Sequence, residues 1–157
     1  MVATDDTPLK VQAKKKTHLS RDWVYLDLIR RMAVFDYTPS RSRDGPVKFL
    51  GSFAGYLQAD AYVGYDAIFA NKTVKEVACW AHARRKFDEA KSVQPEAALA
   101  AMAWIKRLYD VEREAKAYAK ELASEGSVDE RRALLVAKRR ELRQAKSVAI
   151  LDRKSVV

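Results

Sequence analysis

Gly55-Tyr-Leu-Gln-Ala-Asp60-Ala-Tyr-Val-Gly-Tyr65 and Cys79-Trp-Ala-His-Ala-Arg-Arg-Lys-Phe87 are the two stretches whose reading decides the fold. The first reads as a buried strand from Tyr56 to Ala61 that delivers the Asp60 carboxylate to its C-terminal end. The second reads as the end of a strand from Val74 to Trp80, running into a strongly basic helix from about Ala83 to Ser92. An acid at a strand tip beside clustered arginines suits chemistry on a phosphodiester, where a cation must be held close to a polyanion.

Outward from these words, Asp22–Ile29 and Met32–Tyr37 are rich in aromatic and branched residues and predict two further strands, with Arg30 and Arg31 between them forming either a tight turn or a continued strand. Thr38–Pro46 is a turn-rich loop, and Pro46 can open a short helix through Val47, Phe49 and Leu50 that ends near Gly51. Tyr65–Ala70 suits a second short helix.

Beyond residue 93 the pattern is helical. Pro95 stands in a first-turn position, and Met102, Ile105, Leu108, Ala115 and Leu122 recur at helical spacing. Gly126 is expected to close that helix, and Ser127-Val-Asp-Glu130 is a capping-box pattern opening the next. The two helices predict an antiparallel hairpin. Apart from the lysine run Lys14–Lys16 there is no low-complexity segment, and Leu151–Val157 has no clear period.

Composition narrows the function classes. A chain of 157 residues, 48% of them hydrophobic, can bury one core, so one domain with appendages is expected. A formal charge of +9 favours an anionic partner such as nucleic acid. The single cysteine cannot close an internal disulfide, which fits a reducing cytoplasm. The start of the chain lacks a secretory pattern, and no apolar run reaches the roughly 20 residues of a membrane span, so no membrane partner is expected. Five scattered glycines make no phosphate cradle, so no small-molecule cofactor is expected. Cys79 and His82 have a Cys-x-x-His spacing, but a structural zinc site needs four ligands and His18 is the one other histidine. Core packing of Cys79 and Trp80, with His82 at the strand exit, is the expectation.

Taken together, the quoted words resemble the catalytic domain of transposases of the insertion sequence 66 type. The resemblance runs from about residue 3 to about residue 140, and the Cys79–Phe87 word fits without a substitution. It implies an α/β fold: an incomplete ribonuclease H-like mixed sheet with helices over residues 1–93, an α-helical hairpin insertion over 94–146, and a divergent or truncated tail over 147–157. In Thr4-Asp5-Asp6-Thr7-Pro8, Asp5 matches the first catalytic aspartate, and Asp60 in Leu57-Gln58-Ala59-Asp60-Ala61-Tyr62 matches the second. Ala61 replaces the usual glycine, which matters only if that backbone needs a positive φ. Phe35-Asp36-Tyr37-Thr38-Pro39-Ser40-Arg41 fits the family's third strand and its exit. Asp6, Asp22, Asp27 and Asp36 read as solvated strand-end or turn acids.

The implied chemistry is DDE-type, Mg²⁺-dependent DNA strand cleavage and strand transfer, with two divalent ions about 3.5–4 Å apart. Asp5 and Asp60 would share the bridging role, and DNA at transposon ends and targets would be the partner, with a transposase oligomer also implied. The bacterial cytoplasm and nucleoid are the implied location. The third acid is a glutamate in a word resembling Glu-Arg-Ala-Ile-Arg-Pro; Glu130 lacks that context, so no third catalytic acid is assigned. The chain is therefore expected to be an internal fragment that holds at most one ion well and is catalytically inactive. Arg84, Arg85 and Lys86 are candidate DNA contacts, although three consecutive helical residues fan across about 200°. Arg131, Arg132, Lys138, Arg139, Arg140 and Arg143 read as a solvated helix face. The alternative class is a remnant that binds DNA non-specifically or docks on an intact transposase.

Overall fold

A computed structural model describes residues 1–14, 16–70, 72–122 and 126–152. They form two compact units, Met1–Cys79 and Trp80–Val157, each with its own buried cluster where composition suggested a single core. No described helix is long and apolar enough to cross a membrane.

The first unit is built on β1 (Val2–Gln12), β2 (Thr17–Asp27), β3 (Met32–Thr38), β4 (Gly55–Ala59) and β5 (Val74–Ala78), in the order β3-β2-β1-β4-β5. The first three are an antiparallel meander, and β4 and β5 run parallel to β1. The sheet is thus mixed, as expected. The β2–β3 turn is set by Asp27, whose Oδ1 accepts the backbone N–H groups of Ile29 (2.9 Å) and Arg30 (3.0 Å) while Arg31 takes φ 59°.

Two short helices, α1 (Asp44–Leu50) and α2 (Asp66–Phe69), carry residues that pack on the sheet. Trp23, Tyr25, Leu57, Ala59 and Val74 from the strands meet Leu50, Tyr65 and Ile68. The period-two pattern of the strands puts these side chains on one face. Gly55 enters β4 at φ 128°, a conformation that L side chains rarely adopt, and donates its N–H to Thr73 O at 2.9 Å.

Several expectations are corrected. β5 stops at Ala78 and lies at the edge of the sheet, where Val77–Trp80 is expected from the resemblance to be a central strand beside that of Asp60, and α3 (Trp80–Ala90) begins at Trp80 rather than near Ala83. The run of Ala, Arg, Lys and Glu after Cys79 favours helix strongly enough to draw Trp80 and His82 into it. Trp80 is accordingly 45% exposed rather than part of a core. β4 ends at Ala59, before Asp60, and β2 starts at Thr17 because β1 and β2 pair continuously from Val2↔Asp27 to Gln12↔Thr17. Helix α1 starts two residues before Pro46.

In the second unit α3 is followed by α4 (Pro95–Leu122), α5 (Val128–Leu142), a π-helical turn (Arg143–Ser147) and α6 (Val148–Leu151). Ala98, Ile105, Val111, Ala115 and Ala119 form the buried stripe of α4, and Val111 and Ala115 pack with Leu142. The hairpin is antiparallel, with Tyr118 near the end of α4 meeting Lys138 while the earlier Glu112 meets Arg143; Glu112 also pairs with Arg139, and Glu114 with Lys146. Both bonds of the capping box are present, from Glu130 N–H to Ser127 Oγ (3.2 Å) and from Ser127 N–H to Glu130 Oε2 (2.7 Å). Residues 123–125, which lead to Gly126, lie outside the described residues, as do Lys15 of the lysine run and tail residues 153–157.

Tyr25 gives a stability prediction. Its ring stacks on Phe49 at 3.9 Å between centroids, while its buried hydroxyl has no hydrogen-bond partner among the described residues. Burial pushes its phenol pKa well up, with the charges of Tyr65 and Asp36 adding to the rise. The stability this group contributes is therefore complete below the unfolded value of about 10 and is lost as pH rises toward the folded one. Tyr25→Phe removes an unpaired buried hydroxyl and should stabilise the fold at pH 7 by about 1 kcal/mol. It should also lessen the loss of stability above pH 10. Urea midpoints at the two pH values check both effects, and a destabilised variant would contradict them.

Candidate active site

The register of β1 against β4, Val2↔Leu57 and Ala3↔Gln58, carries Asp5 level with Asp60 on one face of the sheet. Because β4 ends at Ala59, the ladder stops short of both acids. The two side chains meet over the end of the shorter strand, where their nearest ligand oxygens lie within 4.8 Å of one another. That is inside the separation of about 8 Å expected for carboxylates flanking a metal pair.

Asp60 is oriented locally: its Oδ1 accepts the Tyr62 N–H at 3.2 Å, closing a turn directly after the strand. Arg31 is the one described non-glycine residue with positive φ, so Ala61 sits in ordinary backbone. The replacement of the family's glycine there costs nothing. Gly64 has a definite steric role, since a Cβ on it would meet the Tyr62 ring at 2.1 Å.

Asp6 corrects the expectation of a solvated acid. Strand alternation turns it to the opposite face from Asp5, and its side chain is 2% exposed. One oxygen pairs with Arg21 Nη1 at 3.0 Å. The other accepts Arg41 Nε at 2.9 Å and Nη2 at 2.7 Å. Burying a carboxylate is costly without such partners.

Arg41 also reaches Asp60, with Nη2 3.4 Å from Oδ2, and its guanidinium carbon lies 4.1 Å from the centre of the Tyr62 ring. The Tyr62 hydroxyl donates to the Arg41 carbonyl. Partial burial pulls the Arg41 pKa down, but the hydrogen bond and charge of Asp6 and the charges of Asp60 and Tyr62 outweigh it, and the net shift is up. On the face of β1 that also carries Asp6, Tyr65 Oη lies 3.3 Å from Thr4 Oγ1. Burial raises the Tyr65 phenol well above its ordinary value; the Thr4 bond opposes this and the charges of Asp60, Asp6 and Asp5 reinforce it.

The donor set fits a hard cation. Mg²⁺ binds oxygens at about 2.0–2.1 Å, so opposite ligands stand about 4 Å apart, a gap that small side-chain rotations of Asp5 and Asp60 would close. The two acids offer oxygens of the right type, one from each strand.

The remaining expected residues lie elsewhere. Arg84, Arg85 and Lys86 are all exposed on α3, and Lys86 Nζ donates to Glu89 Oε2 at 2.9 Å. Glu130 serves as the capping-box acid, and the Ser127 N–H and side chain hold its carboxyl below the usual range. Within the basic set on α5 and the turn after it, Lys138, Arg139 and Arg143 are ion-paired, while Arg131, Arg132 and Arg140 are exposed. The Asp6–Arg21–Arg41 group was not foreseen. Its one signal was Arg41 at the end of the Phe35–Arg41 word, since nothing in sequence spacing brings Arg21 and Arg41 to the same carboxylate.

The profile described as Transposase IS66 family matches residues 1–155. Two relatives from Sinorhizobium fredii, both described as uncharacterized proteins, are similar to the chain. One, y4hP, is 35% identical over 104 residues, covering 59% of this chain and 19% of the relative. The other, y4qI, is 31% identical over 128 residues, covering 76% and 21%. The chain thus spans about a fifth of the length of these curated relatives. Among solved structures, the cryo-EM structure of simian T-cell lymphotropic virus intasome in complex with PP2A regulatory subunit B56 gamma matches 88% of this chain and 46% of its own. The TM-score is 0.41 and the identity 9%.

Proposed function

The chain belongs to the IS66 family of transposases, and on that premise we propose that its first unit is part of a ribonuclease H-like DDE catalytic core for DNA strand cleavage and strand transfer. The observation that carries this reading is the convergence of Asp5 and Asp60, with ligand oxygens within 4.8 Å, from adjacent parallel strands. The sheet order β3-β2-β1-β4-β5 supports it, because β4 lies parallel beside β1 and so brings the two acids together.

Asp5 and Asp60 would hold divalent cations, Mg²⁺ being the expected ion. When bound there, such an ion polarises a phosphoryl oxygen and lowers the pKa of water. The protein's own part is to orient both carboxylates. Tyr62 N–H and Arg41 turn the two oxygens of Asp60, and the Asp6 N–H donates to Asp5 Oδ1 at 2.9 Å. Residues 94–146 are read as a helical insertion in this core and 147–157 as a tail, with Arg84, Arg85 and Lys86 of α3 as further candidates for DNA contact. Transposon ends and target DNA as partners, a transposase oligomer, and a nucleoid-associated place in a bacterial cytoplasm belong to the same reading. Glu130 is not proposed as the third acid, because its carboxylate is committed to a helix cap. These 157 residues alone are therefore expected to bind cation and DNA without cutting.

The test is a titration with a duplex carrying an element end and a scrambled duplex, at two salt concentrations with Mg²⁺ or Mn²⁺ present. Binding should be weak, indifferent to sequence and steeply salt-dependent, given the charge of +9. No nicking should accompany it. An absence of DNA binding, or a strong sequence preference with little salt effect, contradicts the reading. Metal-dependent nicking abolished by Asp60→Asn would contradict the assignment of an incomplete acid set and direct attention to Glu130.

A further inference from the structure

We infer that Arg41 is a phosphate-binding residue, a guanidinium anchored by the buried Asp6 carboxylate so that its open edge meets a phosphodiester beside Asp60. This rests on the reading of Asp5 and Asp60 as the cation site.

The argument is one of charge and of donors. Asp6 carries two guanidiniums, Arg21 on one oxygen and Arg41 on the other. One buried carboxylate balances one of them and leaves a surplus positive charge. Asp60 is the second partner of Arg41, at the long distance of 3.4 Å, whereas Asp6 holds it at 2.7 and 2.9 Å. A divalent cation on Asp60 draws on that same carboxylate, so Arg41 is then short of an anion.

The guanidinium also has donors to spare. Nε and Nη2 face the two aspartates, and among the described residues no hydrogen bond engages Nη1. The side chain is 38% exposed. Asp6, the stacking on Tyr62 and the bond from Tyr62 to the Arg41 carbonyl fix the fork in place, so little side-chain freedom remains to be lost on binding. A planar cation with a free N–H edge beside a cation site suits a phosphate oxygen, the anion that guanidinium geometry matches in two-point fashion.

The experiment measures binding of a short labelled duplex to the 157-residue chain in Mg²⁺ across a salt series, for the wild type, Arg41→Gln and Arg41→Lys. Arg41→Gln should weaken binding by at least about tenfold and reduce the log–log salt slope by about one. Arg41→Lys keeps the charge and should keep the slope while losing part of the affinity. A folded Arg41→Gln variant with unchanged slope and affinity overturns the inference.

If Arg41→Gln fails to fold because Asp6 has lost a partner, the wild-type chain decides. Its Arg41 guanidinium NMR signal, identified by its absence from Arg41→Lys, should shift on adding duplex, and an unmoved signal overturns the inference. Failure of the cation reading looks different: Asp60→Asn would leave Mg²⁺ affinity unchanged, whatever the Arg41 slope shows.

Discussion

Trp23→Ala should destabilise the first unit by about 3–5 kcal/mol, a large part of the 5–15 kcal/mol typical of a domain. Trp23 is fully buried, with the Tyr62 and Tyr65 rings 6.3 and 6.2 Å away, and its indole N–H donates to Thr38 Oγ1 at 2.7 Å. Truncation removes the largest buried side chain and leaves a cavity that the strands on either side cannot fill by collapsing. It also frees Thr38 at the end of β3, from which the chain runs directly to Arg41. The loss should therefore extend from the core to the orientation of Asp60.

Trp80→Ala is the matched control. That ring is half-exposed at the start of α3, and its removal should change stability by no more than about 1 kcal/mol. Urea unfolding followed by far-UV circular dichroism compares the two. Equal losses would contradict the placement of the tryptophans.

Much of this architecture was legible in the residues themselves. The β3 strand, the first-turn Pro95 and the Ser127–Glu130 cap follow from local chemistry, because each is fixed by neighbours within a few positions. The Cys79–Trp80 boundary was misread because branched and aromatic residues favour a strand up to the point where the Ala- and Arg-rich run favours a helix. Local propensity does not say which influence prevails at the junction.

The site shows the same division. The words around Asp5 and Asp60 singled out these two acids, and the parallel register brings them together. Asp6 read as a solvated acid because burial depends on which face of the sheet α1 and α2 cover. Its partners come from 15 and 35 positions away, Arg21 on β2 and Arg41 after β3, a juxtaposition that only the folded sheet creates.

Cation binding carries the second large effect. A carboxylate supplies both the charge and the ligand oxygen that Mg²⁺ requires, and an amide keeps the shape while losing the charge. Loss of an outer-shell partner alone typically costs about 10–100-fold in metal affinity, so removal of a ligand should cost at least as much. Asp5→Asn and Asp60→Asn should each reduce affinity by more than about tenfold, and the double variant should bind no better than either. Stability should change little with Asp5→Asn, since that side chain is exposed. The decisive measurement is calorimetric titration of Mn²⁺ and Mg²⁺ into the wild type and these variants, with Mn²⁺-induced broadening of backbone NMR signals to locate the ion. The expected result is broadening centred on residues 4–6 and 59–62 and lost in both variants. Undiminished affinity in both, or broadening centred away from the ends of β1 and β4, would contradict the assignment of Asp5 and Asp60 as the cation site.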